Sequence, residues 1–327
     1  MGNIYLRRLQ ANGWNNVRTI DPKPEAYADF QSLSEFTETG VHPAAWVVAT
    51  PNHTHVDLVR SILQVDPTAR ILVEKPVGSV EEVKSLAEDL NAYYPLARVV
   101  VSDLYGGGSL ADKLREACAA LPGDAQTVEI EMTKNRIADE ASGRFVCKIF
   151  GDYGYEWFHV IRLLEVLLPS ATFAELVRVE PDKLHGRCAW TWRLSGLTVM
   201  AASRVDGIVA LPGLFLESES QKLLDSQRFR RIRVATDCAS LRTVFDEARA
   251  ATIWNDARAT NTSDRRLMSP LILERSDAVV QAVVQLLEAS GPPADAWMAL
   301  AGPTHQLIDR LRALDRSDST SREVVVA

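Results

Sequence analysis

Two short polar motifs contain residue types that could transfer protons, and each motif follows an apolar run. TPNHTH (residues 50–55) follows the apolar run 46–49, and EKP (residues 74–76) follows the apolar run 71–73. A lysine directly after a buried strand is well placed to hydrogen-bond an alcohol or carbonyl oxygen, where it could polarise that oxygen or relay its proton. An ordinary turn is the alternative interpretation of the Lys-Pro pair, and the sequence favours the catalytic role for Lys75.

A second group of acid–base residues occurs in the segment GDYGYEWFH, residues 151–159. Asp152, Glu156 and His159 are spaced four and three positions apart, so their side chains would share one face of a helix. Two acids and an imidazole on one face could form a proton relay. In the structural alternative, Asp152 caps the helix, Glu156 pairs with a nearby cation and His159 packs in a half-buried position.

The charged segment KNRIADEASGRFVCK, residues 134–148, could supply substrate contacts. Arg136, Arg144 and Lys148 are cations that could bind an anionic or sugar substrate. A solvated surface loop is the alternative interpretation of the segment.

The elements around the first two motifs form a strand–helix–strand unit. The apolar runs 46–49 and 71–73 are typical of strands buried on both faces, and the apolar residues between Val56 and Leu63 fall at helical spacing. A βαβ unit has parallel strands and a right-handed crossover. Open α/β sheets bind ligands at the carboxyl edge of their strands, which is where both motifs are predicted to lie.

The combination of TPN-x-x-H and EKP resembles the glucose-fructose oxidoreductase/inositol dehydrogenase (Gfo/Idh/MocA) family of nicotinamide-dependent oxidoreductases. The two motifs at this separation, each directly after a strand, are more specific than either motif alone. The resemblance implies a Rossmann-type domain and places Lys75 close to the nicotinamide and the substrate hydroxyl. It also implies a cofactor-binding edge formed by Thr50, Pro51, Asn52, His55, Glu74 and Lys75.

The second group follows the family pattern only in part. That pattern is approximately D-x-G-x-H-x-x-D, with the aspartate and the histidine flanking the substrate. The chain matches it at Asp152 and Gly154, but it has Glu156 at the histidine position and His159 at the second acidic position. We interpret His159 as serving the imidazole role from one turn along. The predicted catalytic residues are Lys75, Asp152, Glu156 and His159, and the predicted substrate contacts are Lys75, Arg136, Tyr155 and His159.

The N-terminal segment contains an incomplete dinucleotide-binding fingerprint. Such a unit begins with a strand, a glycine-rich turn and a helix, with an acidic residue about 20 residues further on for the ribose hydroxyls. Here a helix is predicted over residues 5–10 and a strand over 17–21, whereas the first strand and the first glycine are missing. Gly2 lies 19 positions before Asp21 and aligns with the second glycine, and Tyr5 stands where the third usually is.

Two interpretations of this segment stay open. In one, the chain as given begins late and the natural protein carries the missing strand; in the other, the protein lacks the strand and handles the cofactor poorly or not at all. Asp21 favours NAD over NADP because an acidic residue there would repel a 2′-phosphate, although Lys23 nearby blurs that preference. The predicted cofactor contacts in this segment are Gly2, Asn3, Ile4 and Asp21.

The hydrophobic pattern predicts two domains. The first is a Rossmann-type domain over residues 1–105. The second, over 106–327, is an α+β domain with an open, mostly antiparallel sheet. The family resemblance implies that its C-terminal helices pack back on the first domain. Further strands are predicted over 97–102, 126–133, 173–179, 188–194, 198–203, 213–219 and 229–234. Further helices are predicted over 79–90, 111–120, 276–289 and 293–314, and residues 248–267 are predicted to be loop.

The composition limits the class of protein. A length of 327 residues with 46% hydrophobic and 24% charged residues is typical of a globular protein with two domains. The formal net charge of −7 argues against a nucleic-acid binder, and the apolar runs are shorter than the roughly 20 residues of a membrane span. Four scattered cysteines without metal-ligand spacing predict reduced thiols, a cytoplasmic protein and no metal site.

The family resemblance implies an oxidoreductase that transfers hydride between NAD, with NADP possible, and a carbinol carbon of a sugar, cyclitol or related polyol. The predicted partners are that small molecule and further copies of the chain, which the resemblance implies assemble through the C-terminal sheet as a homo-oligomer. The alternative is a non-redox binding or regulatory member with a degenerate cofactor site, which the incomplete fingerprint and the altered GDYGYEWFH motif favour. A third interpretation keeps the cofactor bound for transient oxidation during a hydrolytic or eliminating reaction.

Overall fold

The chain folds into two compact units, one formed by residues 1–103 and 276–303 and the other by residues 104–275 and 304–327. The fold class expected from the sequence is confirmed, because one sheet is parallel and Rossmann-like and the other is open and mostly antiparallel. The computed structural model describes residues 2–23, 28–103, 105–106, 108–134, 140–141, 143, 151–154, 156–184, 188–203, 228–245, 250–257, 271–274 and 277–320.

The helices and strands are numbered in chain order. The helices are α1 (Gly2–Ala11), α2 (Leu33–Thr37), α3 (His55–Val65), α4 (Val80–Tyr93), α5 (Gly108–Ala119), α6 (Trp157–Leu167), α7 (Ser170–Arg178), α8 (Asp277–Glu288), α9 (Ala296–Ala299) and α10 (Gly302–Thr320). The strands are β1 (Trp46–Val48), β2 (Arg70–Val73), β3 (Arg98–Val101), β4 (Thr127–Lys134), β5 (Asp182–Lys183), β6 (Ala189–Leu194), β7 (Leu197–Ala202), β8 (Arg228–Ala235), β9 (Ala239–Phe245), β10 (Ala250–Ala257) and β11 (Leu271–Glu274).

The first unit contains the predicted βαβ arrangement. Strands β1, β2 and β3 lie in that order and are parallel, with Val48 opposite Val73 and Val73 opposite Val101. Helix α3 buries Val59 and Leu63 in the same apolar cluster as the strand residues. The three carboxyl ends therefore meet at one edge of the sheet, as the sequence predicted.

Helix α4 follows from strong local signals in the sequence. The Ser79 hydroxyl accepts a hydrogen bond from the Glu82 backbone N–H, and the Glu82 carboxylate accepts one from the Ser79 N–H. This capping box satisfies two N–H groups that the first turn of a helix leaves without partners. Arg60 of α3 binds Asp89 of α4 at 2.7 Å, which ties the two helices together.

The strand predicted over residues 17–21 is wrong. Residue Ile20 makes one isolated parallel bridge to Phe30, and within the described residues the segment joins no ladder of the sheet. A strand forms only when a neighbour supplies a row of hydrogen bonds, and β1 pairs on one side only, with β2, in the part of the chain that the structure describes.

The second unit is built on an eight-stranded sheet in the order β11-β10-β9-β8-β4-β7-β6-β5. All neighbours are antiparallel except β4 and β7, which are parallel. Helix α6 contacts β4 and β7 and is buried along nearly its whole length, including Trp157 and Phe158. Because α6 is packed on the sheet, the position of its N-cap residue, Glu156, is also fixed.

Four predictions about elements beyond residue 150 are wrong. Residues 173–179 were predicted as a strand but form α7, where Phe173 and Leu176 share one buried face at helical spacing. Residues 250–257 were predicted as loop, within a longer stretch that is polar overall, but form β10, where seven consecutive residues pair with β9. The helix predicted over 293–314 is divided at Ala301, which has a positive φ of 54°. A helix was also predicted to carry Asp152, but residues 151–154 form a separate 3₁₀ turn.

One predicted strand cannot be compared with the structure, and two observed strands had no prediction. The strand predicted over 213–219 lies outside the described residues. Strands β9 and β11 were not predicted at all.

Candidate active site

The two motifs of the first unit follow adjacent parallel strands. The Glu74 backbone N–H donates to the Val48 carbonyl oxygen at 2.8 Å, which continues the β1–β2 ladder one residue beyond the strand. Residues 50–52 follow the end of β1 in the same way, and Asn52 begins a short 3₁₀ turn that leads into α3. Both motifs therefore lie at the carboxyl edge, where parallel sheets bind ligands.

His55 connects the two motifs through its ring. Its Nδ1 lies 3.0 Å from the Pro76 carbonyl oxygen, and its Nε2 lies 2.9 Å from the Thr50 carbonyl oxygen. Burial lowers the pKa of His55, and hydrogen bonds to the Thr50 and Pro76 carbonyls only partly oppose that shift. The ring is 1% exposed. The structure therefore places His55 beneath the edge, as a connection between the loops, rather than on its surface.

Glu74 is held by a residue far away in the sequence. The Tyr5 hydroxyl donates to Glu74 Oε1 at 2.6 Å and lies 2.5 Å from Ser102 Oγ. All three residues are buried, with Tyr5 at 3%, Glu74 at 5% and Ser102 at 1% exposure. Burial and then the Glu74 carboxylate raise the pKa of the Tyr5 hydroxyl well above its ordinary value, so Tyr5 keeps its proton and acts as the donor. Sequence reasoning assigned Tyr5 no function, although a tyrosine at a glycine position of the fingerprint was a signal.

Lys75 lies between these two anchored residues. It is half-buried, whereas Glu74 before it and Pro76 after it are buried. Glu74 is bound by Tyr5, and the Pro76 carbonyl oxygen contacts the ring of His55. The predicted catalytic lysine is thus half-buried, between two neighbours that are buried and held in place.

The residues predicted to bind the cofactor near the N-terminus are compatible with a dinucleotide. Gly2 and Asn3 are exposed at the start of α1, Ile4 is half-buried, and a Cβ placed on Gly2 would meet no atom within 4 Å. The first turn of α1 has no acidic side chain to neutralise its N–H groups, which suits an anion such as a pyrophosphate. Asp21 is half-exposed, and one of its carboxylate oxygens accepts the Lys23 backbone N–H at 2.9 Å.

The second unit holds a separate cluster around Glu156. Arg230 donates to Glu156 Oε2 from Nη2 at 2.7 Å and from Nε at 3.1 Å, and it donates to the Tyr105 hydroxyl from Nη1 at 2.7 Å. The Tyr105 ring meets the His159 ring edge to face, with centroids 4.5 Å apart. Burial alone would lower the pKa of Arg230, but the Glu156 carboxylate and Tyr105 outweigh it and raise the pKa.

This arrangement changes the interpretation of Glu156. Glu156 is 1% exposed and precedes α6 as its N-cap, without a side-chain capping bond. Asp152 lies in the preceding 3₁₀ turn, so it neither caps α6 nor shares a helical face with Glu156 and His159. The structural alternative for Glu156, pairing with a cation, is confirmed. The proton relay through three residues on one helix is wrong.

Five side chains that the sequence singled out cannot be placed. The side chain of Asp152 and the residues Arg136, Arg144, Lys148 and Tyr155 lie outside the part of the chain that the structure describes. Sequence reasoning missed Arg230 and Tyr105. Arg230 lies in the charged strand RFRRIR, but it is too far from Glu156 along the chain for helical or strand periodicity to pair the two residues.

Neither a metal site nor a membrane span was found in the described residues. No group of three or more His, Cys, Asp or Glu side chains there could hold a metal ion. No helix among them is long and apolar enough to cross a bilayer.

Comparisons with known proteins agree with this fold. Residues 14–94 match the Gfo/Idh/MocA family model, described as an oxidoreductase family with an NAD-binding Rossmann fold. No curated protein matches the chain.

Several solved structures are similar over nearly the whole chain. A levoglucosan dehydrogenase in complex with NADH and levoglucosan has a TM-score of 0.63 at 14% identity, covering 95% of this chain and 93% of that one. The 3-ketoreductase KijD10 from Actinomadura kijaniata, in complex with TDP-benzene and NADP, has a TM-score of 0.63 at 10% identity, covering 94% and 92%. A Gfo/Idh/MocA family oxidoreductase from Vibrio cholerae has a TM-score of 0.63 at 14% identity, covering 97% and 94%. At these identities the likeness shows a shared fold.

Proposed function

We propose that this chain, whose residues 14–94 match the family model of the Gfo/Idh/MocA oxidoreductases, oxidises or reduces a carbinol carbon of a sugar, cyclitol or related polyol. The observation that carries the proposal is Lys75, half-buried at the carboxyl edge of the parallel sheet with both neighbours anchored. A bound nicotinamide supplies the hydride acceptor or donor. Lys75 hydrogen-bonds the substrate oxygen and transfers its proton as the carbon changes oxidation state.

The cofactor contacts come from two segments of the first unit. The exposed N–H groups at Gly2 and Asn3 bind the pyrophosphate, and the free oxygen of the Asp21 carboxylate binds the ribose hydroxyls. Thr50, Pro51 and Asn52 contact the cofactor from the end of β1. An acidic residue at position 21 favours NAD, with NADP as the alternative.

In the second unit, His159 is the candidate group for handling a proton. The family resemblance implies an imidazole in this motif, and His159 lies one turn into α6 against the Tyr105 ring. Glu156 serves instead as the counter-ion of Arg230, because two N–H groups of that guanidinium already donate to one of its carboxylate oxygens. The predicted roles of Arg136 and Tyr155 in binding substrate stay part of the proposal.

Similar folds in sugar-related enzymes support the substrate class. One structural neighbour is named for levoglucosan and was solved with NADH, and another is a 3-ketoreductase solved with NADP. For this chain, the two neighbours indicate only which class of compound to test, namely sugars and related polyols. We also propose a cytoplasmic homo-oligomer that assembles through the eight-stranded sheet, which light scattering of the purified chain would test.

Cofactor titration tests the proposed function. We expect NADH fluorescence to report saturable binding, tighter than for NADPH, and nicotinamide absorbance to report turnover with at least one member of a polyol panel. Asp21→Ala should weaken NADH binding about tenfold, the effect of one lost charged hydrogen bond. Asp66→Ala is the matched control, because Asp66 is also half-exposed and also accepts the N–H two residues on, from Thr68 at 3.0 Å. Equal weakening in both variants would contradict the cofactor role of Asp21.

One observation favours a second candidate function. Glu156 and His159 are 1% and 4% exposed, and Glu156 is engaged in an ion pair, which suits a binding or regulatory protein that catalyses no hydride transfer. NADH binding without turnover on any polyol would support this second function. Turnover that disappears in Lys75→Ala would rule it out.

A further inference from the structure

A buried chain of hydroxyl groups ends on the residue before Lys75. Tyr5 has one hydroxyl hydrogen, and it donates this hydrogen to Glu74 Oε1 at 2.6 Å. The 2.5 Å contact between Tyr5 and Ser102 must therefore use the Ser102 hydrogen. The direction of donation is fixed from Ser102 to Tyr5 to Glu74. Short bonds of this kind, with a charged acceptor, are among the stronger hydrogen bonds in proteins.

The backbone fixes the same two chain positions. The Glu74 N–H donates to Val48 and the Ser102 N–H donates to Val73, so both residues are held at the ends of neighbouring strands. Tyr5 then connects their side chains from α1. Glu74 is consequently held through its backbone and its side chain, and Lys75 is the next residue.

On the other side of Lys75, the Pro76 carbonyl oxygen lies 3.0 Å from the ring of His55. His55 belongs to the motif that the family resemblance already marked, whereas Tyr5 stands at a position where the fingerprint usually has glycine. The family resemblance therefore gives no role to Tyr5, and the contacts of this chain supply one.

We propose that Tyr5 is a positioning residue for Lys75. Its hydroxyl holds Glu74, and Glu74 in turn fixes the direction in which the Lys75 side chain leaves the edge of the sheet. The catalytic consequence rests on the proposed function of Lys75, whereas the positional claim concerns only contacts within the first unit.

The test compares Tyr5→Phe with Tyr93→Phe. The first variant removes only the hydroxyl of a buried tyrosine, and the second removes the hydroxyl of a tyrosine that is 72% exposed. Without cofactor, we expect the acetylation of Lys75 by a water-soluble ester, followed by mass spectrometry, to rise about three- to tenfold in Tyr5→Phe, because the lysine becomes less restricted. Acetylation of the exposed Lys84 in the same sample calibrates the reagent and should not change.

Kinetic measurements on the same variants distinguish a positioning role of Tyr5 from an effect on stability alone. In Tyr5→Phe we expect kcat on the active polyol to fall about 10- to 100-fold, because small misplacements of a catalytic group have effects of this size. KM and the NADH dissociation constant should stay within about twofold, since the variant leaves the proposed cofactor contacts in place. A purely structural role would lower the melting temperature and leave both the Lys75-to-Lys84 acetylation ratio and kcat unchanged below the melting transition, which would overturn the proposal.

A second variant covers the case in which Tyr5→Phe does not fold. Ser102→Ala removes the far end of the hydroxyl chain and should raise Lys75 acetylation about two- to threefold. An unchanged ratio there would count against the proposal. If the parent protein binds no NADH and turns over no polyol, the proposed function fails, while the acetylation ratio still decides whether Tyr5 positions Lys75.

Discussion

The carboxyl edge of the first unit and the Glu156 cluster of the second unit were found with very different success from the sequence. The first is formed largely by one strand–helix–strand segment, residues 46–76, whose order along the chain already gives the adjacency of its motifs. The second joins Tyr105, Glu156, His159 and Arg230, and its Arg230 bonds span 74 and 125 positions of the chain. Periodicity detects neighbours within one element, so it found the first group and missed the partner that defines the second.

The two groups also differ in the residue that binds their buried carboxylate. At the edge of the first unit the buried Glu74 carboxylate is bound by a neutral hydroxyl, and Lys75 remains half-exposed. In the second unit the buried Glu156 carboxylate is bound by a guanidinium whose side chain is 12% exposed. In the first arrangement the carboxylate is bound without a cation, whereas in the second it is the counter-ion of one. We therefore expect variants of the second cluster to affect stability first and variants of the first to affect turnover first.

Arg230→Ala should break the second cluster and have the largest effect on folding. Removing one partner leaves the Glu156 charge buried and uncompensated, which costs about 3–5 kcal/mol of unfolding free energy. Urea denaturation followed by circular dichroism measures the loss. Arg193→Ala is the control, because the Arg193 side chain is 75% exposed and its pair with Asp182 is long, at 3.5 Å. A loss below about 1 kcal/mol for Arg230→Ala would mean that water reaches Glu156, and the contrast between the two groups would disappear.

Lys75→Ala should have the largest effect on turnover, with His159→Gln as its counterpart in the second unit. We expect the polyol-dependent rate to fall about 10³-fold without Lys75, since both polarisation and proton transfer are lost, and about 10²-fold without His159. Lys84→Ala on the exposed face of α4 is the control. Survival of activity in Lys75→Ala would remove the main catalytic assignment, and an unchanged rate in His159→Gln would make His159 a packing residue.

The parts of the fold that the sequence predicted are those with local causes. Helix α4 was predicted because Ser79 and Glu82 form a capping box, and β2 because a short apolar run lies between turn signals. Strand β10 was missed because it lies within a stretch, residues 248–267, that is polar overall, and its pairing with β9 is visible only in the folded chain. The segment ending at Asp21 was mistaken for a strand because its residue types suit one, although among the described residues it makes one isolated bridge, from Ile20 to Phe30. Arg230 could not have been assigned, since it finds its partners only after the chain has folded. Tyr5 was marked by standing at a glycine position of the fingerprint, but nothing in the sequence indicated its partners.

The smallest effect that we expect concerns the first unit. It is the contribution of His55 to the pH dependence of the unfolding free energy. Burial lowers the pKa of His55, so the folded state favours the neutral ring over the charged one. The stability that this contributes is complete above the unfolded value of about 6.5. It is lost as the pH falls below that value towards the lower pKa of the folded state. Between about pH 7.5 and 5.5, the unfolding free energy of the parent should therefore decrease by about 1 kcal/mol more than that of His55→Gln.

His42→Gln, at an exposed position, is the control and should follow the parent. If His55→Gln also followed the parent in urea titrations at both pH values, the ring would be exchanging protons with solvent in the folded state. His55 would then belong to the exposed surface of the edge, where the sequence had placed it, and not to the buried connection between its two loops.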